Sequence, residues 1–186
     1  MKRLMTLFAV ATLVSGCATA PVYQLTGSGR TAPPAQGYSV ELPPNWVRLS
    51  SDEKGLIATR DGFGLQRIMI RRVAAKDAFP RIKKAAGENL LASELAELQI
   101  AELKSINTQL ANLTVVENVP ARIGGKVGFR LRIRYLNNHG LAFDQVWCGV
   151  LDNGYYYLIS FHAPELHYFD KYLPDYDRTL ASFRLS

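Results

Sequence analysis

Three histidines, two cysteines and one serine flanked by glycines are the side chains that could carry chemistry. His139 falls in a turn, His162 near a strand end and His167 in the terminal helical stretch. None of the three forms a close metal-ligand motif, and there is no Cys-x-x-Cys. Ser28, in "TGSGR" (Thr26–Arg30), lacks the preceding strand and following helix of a nucleophile elbow. Ser160, His162 and nearby aspartates would make a triad only if the fold happened to assemble one. Cys148 alternates with Val146 and Val150 in an apolar run, whereas a reactive thiolate needs accessible, electropositive surroundings. The Gly124-Gly125 pair reads as a turn with no phosphate-loop residues around it. The expectation is therefore no enzyme, no cofactor and no metal site, with His162 partly buried and hydrogen-bonded near a sheet edge.

The other cysteine has a different setting. Lys2 and Arg3 precede a mostly apolar run, Leu4 to Val14, which is too short to span a bilayer at roughly 20 residues. A positive start, a short apolar centre and a small-residue exit describe a secretory signal peptide. The exit, Leu13-Val14-Ser15-Gly16-Cys17, resembles the lipobox of bacterial lipoproteins. That resemblance implies cleavage before Cys17 and a diacylglyceryl group on its thiol, often with acylation of the new amine. Two or more chains, at ~0.8 kcal/mol per buried methylene, anchor a protein without a transmembrane helix. Ala18, rather than Asp, follows the cysteine, which in such lipoproteins implies the outer membrane, periplasmic face. With Cys17 lipidated, Cys148 has no intramolecular disulfide partner.

Removing Lys2 and Arg3 leaves 20 basic side chains against 16 acidic ones, a mild excess that does not imply nucleic acid. The basic residues are clustered. Lys54 to Lys84 holds nine, with only Asp61 and Asp77 as acids, and Arg122 to Arg134 adds five with none. Arg130, Arg132 and Arg134, with Arg67, Arg71 and Arg72, form the candidate patch for an anionic lipid or an acidic envelope protein. The competing reading is a face whose charges are offset from within, by carboxylates on the helices such as Glu97 and Asp177. A second concentration, Tyr155, Tyr156, Tyr157, Tyr168, Tyr172 and Tyr176, suits either a ligand pocket or the rim of a core beneath a terminal helix.

These residues need elements to position them. Residues 1–16 read as the signal peptide, 17–36 as the lipidated cysteine and a flexible Ala/Pro/Gly/Ser/Thr-rich tether, and 37–186 as one α+β domain. Tyr38–Leu42 reads as a strand with Trp46 packing back after two prolines, and Gly55–Val73 as a hairpin turning at Asp61–Gly64. Helical spacing of Leu91, Leu95, Leu98, Leu103, Ile106 and Leu110 predicts a long helix from about Glu88 to Leu110. Glu102 falls inside that apolar stripe, so it must reach a flank or find a partner. Strands follow, with Phe129, Leu131, Ile133 and Tyr135 on one face and the three arginines on the other. Pro164–Ser182 reads as a helix broken at Pro174. An antiparallel sheet of about six to seven strands with two helices results.

"LPPNW", "VENVPARIGGKVGFRLRIRY" and "YYYLISFHAPELHYFDKYLPDYDRTLASFRL" together resemble the PsbP-like family. That fold also serves a nuclear Ran-binding protein and bacterial lipoproteins similar to DcrB. The resemblance covers about Gly37 to the end, and implies a layered α+β sandwich acting as a binding or assembly module. The chain is thus expected to be a lipid-anchored cell-envelope protein with a non-catalytic interaction domain. The alternatives are a carrier or sensor of a small hydrophobic ligand, and an enzyme with a spatially assembled site.

Overall fold

The computed structural model describes residues 22–33, 35–51, 55–87, 89–106 and 112–186. The expected signal peptide, Cys17 and Leu110 lie outside them. Eight strands form one wholly antiparallel sheet: β1 (Val22–Leu25), β4 (Val47–Ser51), β5 (Gly55–Thr59), β6 (Arg67–Ala74), β7 (Thr114–Ile123), β8 (Lys126–Leu136), β9 (Ala142–Asp152) and β10 (Tyr155–Pro164). Their spatial order is β1-β4-β5-β6-β10-β9-β8-β7. A small second sheet, β11-β3-β2, joins β2 (Arg30–Thr31), β3 (Tyr38–Glu41) and β11 (Arg184–Leu185). Helix α1 (Ala92–Lys104) lies on one face of the large sheet, and α2 (Asp170–Ser182) with the small sheet lies on the other.

The register follows from turn chemistry and alternation. Gly124 and Gly125 both have positive φ, as do Asn153 and Gly154. Two-residue turns with positive φ at both positions match strand twist, so β7–β8 and β9–β10 close tightly. Alternation then sends Tyr157, Ile159, Phe161, Val146, Cys148 and Val150 to the α2 face, and Tyr156, Leu158, Phe129, Leu131 and Ile133 to the α1 face. Because both faces are covered, β9 and β10 are apolar nearly throughout. At Gly149 a Cβ would stand 2.4 Å from the Phe129 ring and 2.7 Å from the Tyr156 hydroxyl, so only glycine fits that packing.

Four expectations are corrected. The large sheet has eight strands rather than six or seven. Much of the expected tether is structured: β1 pairs with β4, and Arg30–Thr31 pairs with β3, so segments too short to show periodicity are strands through tertiary pairing. The middle helix is shorter than 88–110, because Leu91 is extended (ψ 155°) and its N–H is taken by Glu94 Oε2 at 2.8 Å. Leu91 and Ile106 are exposed, and the buried stripe is Leu95, Ala96, Gln99, Glu102 and Leu103. The terminal helix runs through Pro174, four residues after Asp170, where the lost bond falls at the helix start; the break lies earlier, at Leu166 and His167.

Candidate functional site

The arginine row of β8 is consumed within the fold. Arg130 Nη1 donates to Asp177 on α2 at 2.9 Å and its Nε lies 3.6 Å from Glu117. Arg132 and Arg134 both converge on Asp144: Arg132 Nε at 2.9 Å with a second bond from Nη2, and Arg134 Nε at 2.6 Å. Arg134 also pairs with Glu165 at 3.3 Å, and Arg132 lies over the Phe169 ring at 4.4 Å. Burial pushes the Asp144 carboxyl up, but hydrogen bonds from Arg134 and Arg132 more than reverse this and leave it below its ordinary value. Asp177 is one of the two helix carboxylates expected; Glu97 is not, because α1 lies on the opposite face. Asp144 is the partner that the sequence reading missed. It has the parity of Val146 and Cys148, and its signal was an acid at a core-facing position beside an arginine row.

The six arginines do not form one patch. Arg130, Arg132, Arg134 and Arg72 face α2, whereas Arg67 and Arg71 face the α1 side. The two groups lie on opposite faces of the sheet, and β10 and β9 further separate Arg72 on β6 from the three arginines of β8. Arg72 donates to the Ala35 carbonyl at 2.9 Å and lies over the Tyr155 ring. Arg67 donates to the Phe63 carbonyl at 3.0 Å. Among the described residues, no carboxylate pairs with Arg67, Arg71 or Arg72.

The other chemistry-bearing groups are similarly placed. Cys148 is fully buried, and burial pushes its thiol up to about 11. His162 Nε2 is 2.9 Å from Tyr135 Oη, and its ring stacks on Phe143 with centroids 4.8 Å apart. Burial, with Arg67 nearby, pulls its pKa down to about 3, so the imidazole is neutral; its buried Nδ1 has no hydrogen-bond partner among the described residues. His139 and His167 are exposed. No three His, Cys, Asp or Glu side chains among the described residues are grouped as metal ligands.

The tyrosines divide as well. Tyr157 on β10 and Tyr172 and Tyr176 on α2 are buried between α2 and the sheet, with Tyr155 and Tyr168 at the margin. Tyr156 faces the other way and donates to Gln99 Oε1 on α1 at 2.9 Å. It lines a cleft of about 310 Å³ between α1 and the sheet, with Arg71, Arg81, Trp147, Leu158 and Ile106 around it. Glu102 also lines the cleft, but its carboxylate accepts the backbone N–H groups of Arg81 at 3.1 Å and Ile82 at 3.2 Å. Arg71 and Arg81 carry no ion pair among the described residues, so the cleft has apolar walls and a cationic rim. Trp147, Gln99 and Arg81 gave no sequence signal, since they meet only through the packing of α1 and the 78–82 segment on the sheet.

This architecture is PsbP-like, an α+β fold dominated by one antiparallel sheet. Cyanobacterial PsbP (CyanoP) from Synechocystis matches 92% of this chain and 96% of its own, with TM-score 0.61 at 11% identity. The Ran-binding protein Mog1p of Saccharomyces cerevisiae matches 86% of this chain and 96% of its own, with TM-score 0.53 at 10% identity. No family model and no curated protein sequence matches the chain. What is shared with these structures is the fold.

Proposed function

We propose that the protein is a lipid-anchored component of a bacterial cell envelope, held at the outer membrane by Cys17, whose body is a non-catalytic binding module. The carrying observation is the fate of its reactive groups. Cys148 is buried and protonated, His162 is held neutral against an aromatic wall, and Asp144 is taken by two arginines. Among the described residues, neither Cys148 nor His162 is placed as a nucleophile beside a base, whereas the α1 side keeps an open cleft whose Arg71 and Arg81 carry no ion pair. The lipobox supports the anchor, and the shared fold with a Ran-binding protein is compatible with a binding role without identifying this chain's partner.

The test places a photo-crosslinking residue at Ile106, on the cleft rim, and at Arg178, on the outer side of α2, in cells making the full chain. A discrete adduct from Ile106 and none from Arg178 is expected. Equal labelling from both, or none from either, contradicts a binding surface at the cleft.

A second reading is favoured by the same cleft: carriage of a small amphipathic anion, apolar body against Trp147 and Leu158, acidic group toward Arg71 or Arg81. In a Trp46→Phe background, titration with a medium-chain fatty acid should saturate a change in Trp147 fluorescence. Arg71→Ser should weaken it. No saturable change removes this reading.

A further inference from the structure

One half of the α1-side sheet face is left open. Helix α1 packs on β7, β8 and β9, and neither helix packs extensively on β1, β4 or β5. The cross-strand partners Tyr23, Leu49, Ile57 and Met69 form a continuous row there. Leu49, Ile57 and Met69 are half-buried, and Tyr23 and Leu25 are 61% and 70% exposed. Phe63 from the β5–β6 turn meets the Tyr23 ring at 6.4 Å, and Leu65 beside it is exposed. On β1, β4, β5 and β6, no strand residue of this parity is acidic, while Arg67 and Arg71 border the row. An apolar surface with tyrosine at its edge and arginines around it suits a membrane interface.

Covalent reach selects the same occupant. Strand β1 begins at Val22, only five residues after Cys17. Five residues span at most roughly 18 Å at ~3.3–3.6 Å each. A lipid on Cys17 therefore holds the β1 edge close to the bilayer surface, within the range where the exposed Tyr23 and Leu25 meet lipid.

We infer that the open face of β1, β4, β5 and β6 lies against the membrane that holds the Cys17 lipid, so that the body is oriented on the bilayer. This rests on the lipid anchor proposed above. Docking on one face leaves α2 pointing away from the bilayer and sets the α1 cleft beside the lipid surface.

The test uses the full chain, processed in cells and reconstituted into vesicles of phosphatidylethanolamine and phosphatidylglycerol. A fluorophore is attached to Met69→Cys or, separately, to Arg178→Cys; buried Cys148 stays unlabelled. Lipids carrying a quencher near the headgroup should quench the Met69 probe much more strongly than the Arg178 probe. Tyr23→Ser with Leu25→Ser should diminish that difference. The mass of the N-terminal peptide is read in parallel. Lipid on Cys17 with equal quenching at both probes overturns the docking alone. Absence of lipid on Cys17 overturns the anchor, and the docking with it.

Discussion

The Glu102 carboxylate on α1 receives the backbone N–H of Arg81 at 3.1 Å, 21 residues away in the chain, and that of Ile82 at 3.2 Å. The residue is only 8% exposed within the stripe that packs on the sheet, and its partners are peptide groups rather than a sheet arginine. It ties α1 to the 78–82 segment that forms one wall of the cleft. Glu102→Ala should therefore destabilise the chain by about 1–3 kcal/mol, the range for leaving buried donors unsatisfied. Urea unfolding measures this, with Glu102→Gln retaining part of the loss because its amide oxygen still accepts.

Asp144 joins β8 to β9 through two guanidinium groups. Its folded pKa is depressed, so its contribution is complete above the unfolded value near 3.9 and is lost as pH falls through the lower folded value. Asp144→Ala should lower stability at neutral pH by about 2–3 kcal/mol, since these are hydrogen bonds to a charged group while both arginines keep access to water. The variant should also show a shallower loss of stability below pH 4 than the unaltered chain. An identical acid limb in the two proteins would contradict the assignment.

His162 acts at higher pH. Its folded pKa is about 3 against 6.5 for the free side chain, so the unfolded chain binds more protons between those values. Stability is complete above about pH 6.5 and declines as pH falls toward 3. His162→Gln, which keeps a partner for Tyr135 Oη, should flatten the stability profile between pH 6 and 4. Thermal unfolding across that window provides the readout.

Gly149 lies where β9 crosses beneath the Phe129 ring and the Tyr156 hydroxyl. Gly149→Ala should destabilise by about 1–3 kcal/mol through overpacking. It should also disturb the Tyr156–Gln99 hydrogen bond, so Trp147 fluorescence beside the cleft should change together with the melting temperature.

Long alternating strands were legible in the sequence because burial repeats every second residue over β8, β9 and β10, and glycine pairs fix their turns. The internal pairing of the arginine row was legible as one of two options. What decided it was Asp144, whose parity was visible but whose facing strand was not. Strand β1 and the two-residue strands β2 and β11 were not legible, because pairing with β4 and β3 makes them strands rather than any pattern of their own. The ends of α1 were misread because Leu91 and Ile106 continue the helical spacing outside the buried stripe. The cleft was invisible for a related reason: Arg71, Arg81, Trp147 and Tyr156 come from four separate stretches.

The proposed anchor at Cys17 underlies both the proposed role and the proposed orientation on the membrane. The most direct measurement is metabolic labelling with a tagged fatty acid in cells making the unaltered chain or Cys17→Ala, followed by mass analysis of the mature N-terminus. Label on the unaltered protein, an N-terminal cysteine at position 17 carrying diacylglyceryl, and an unlabelled, uncleaved Cys17→Ala chain are expected. Equal labelling of the two, or a mature N-terminus without lipid at Cys17, would contradict the anchor.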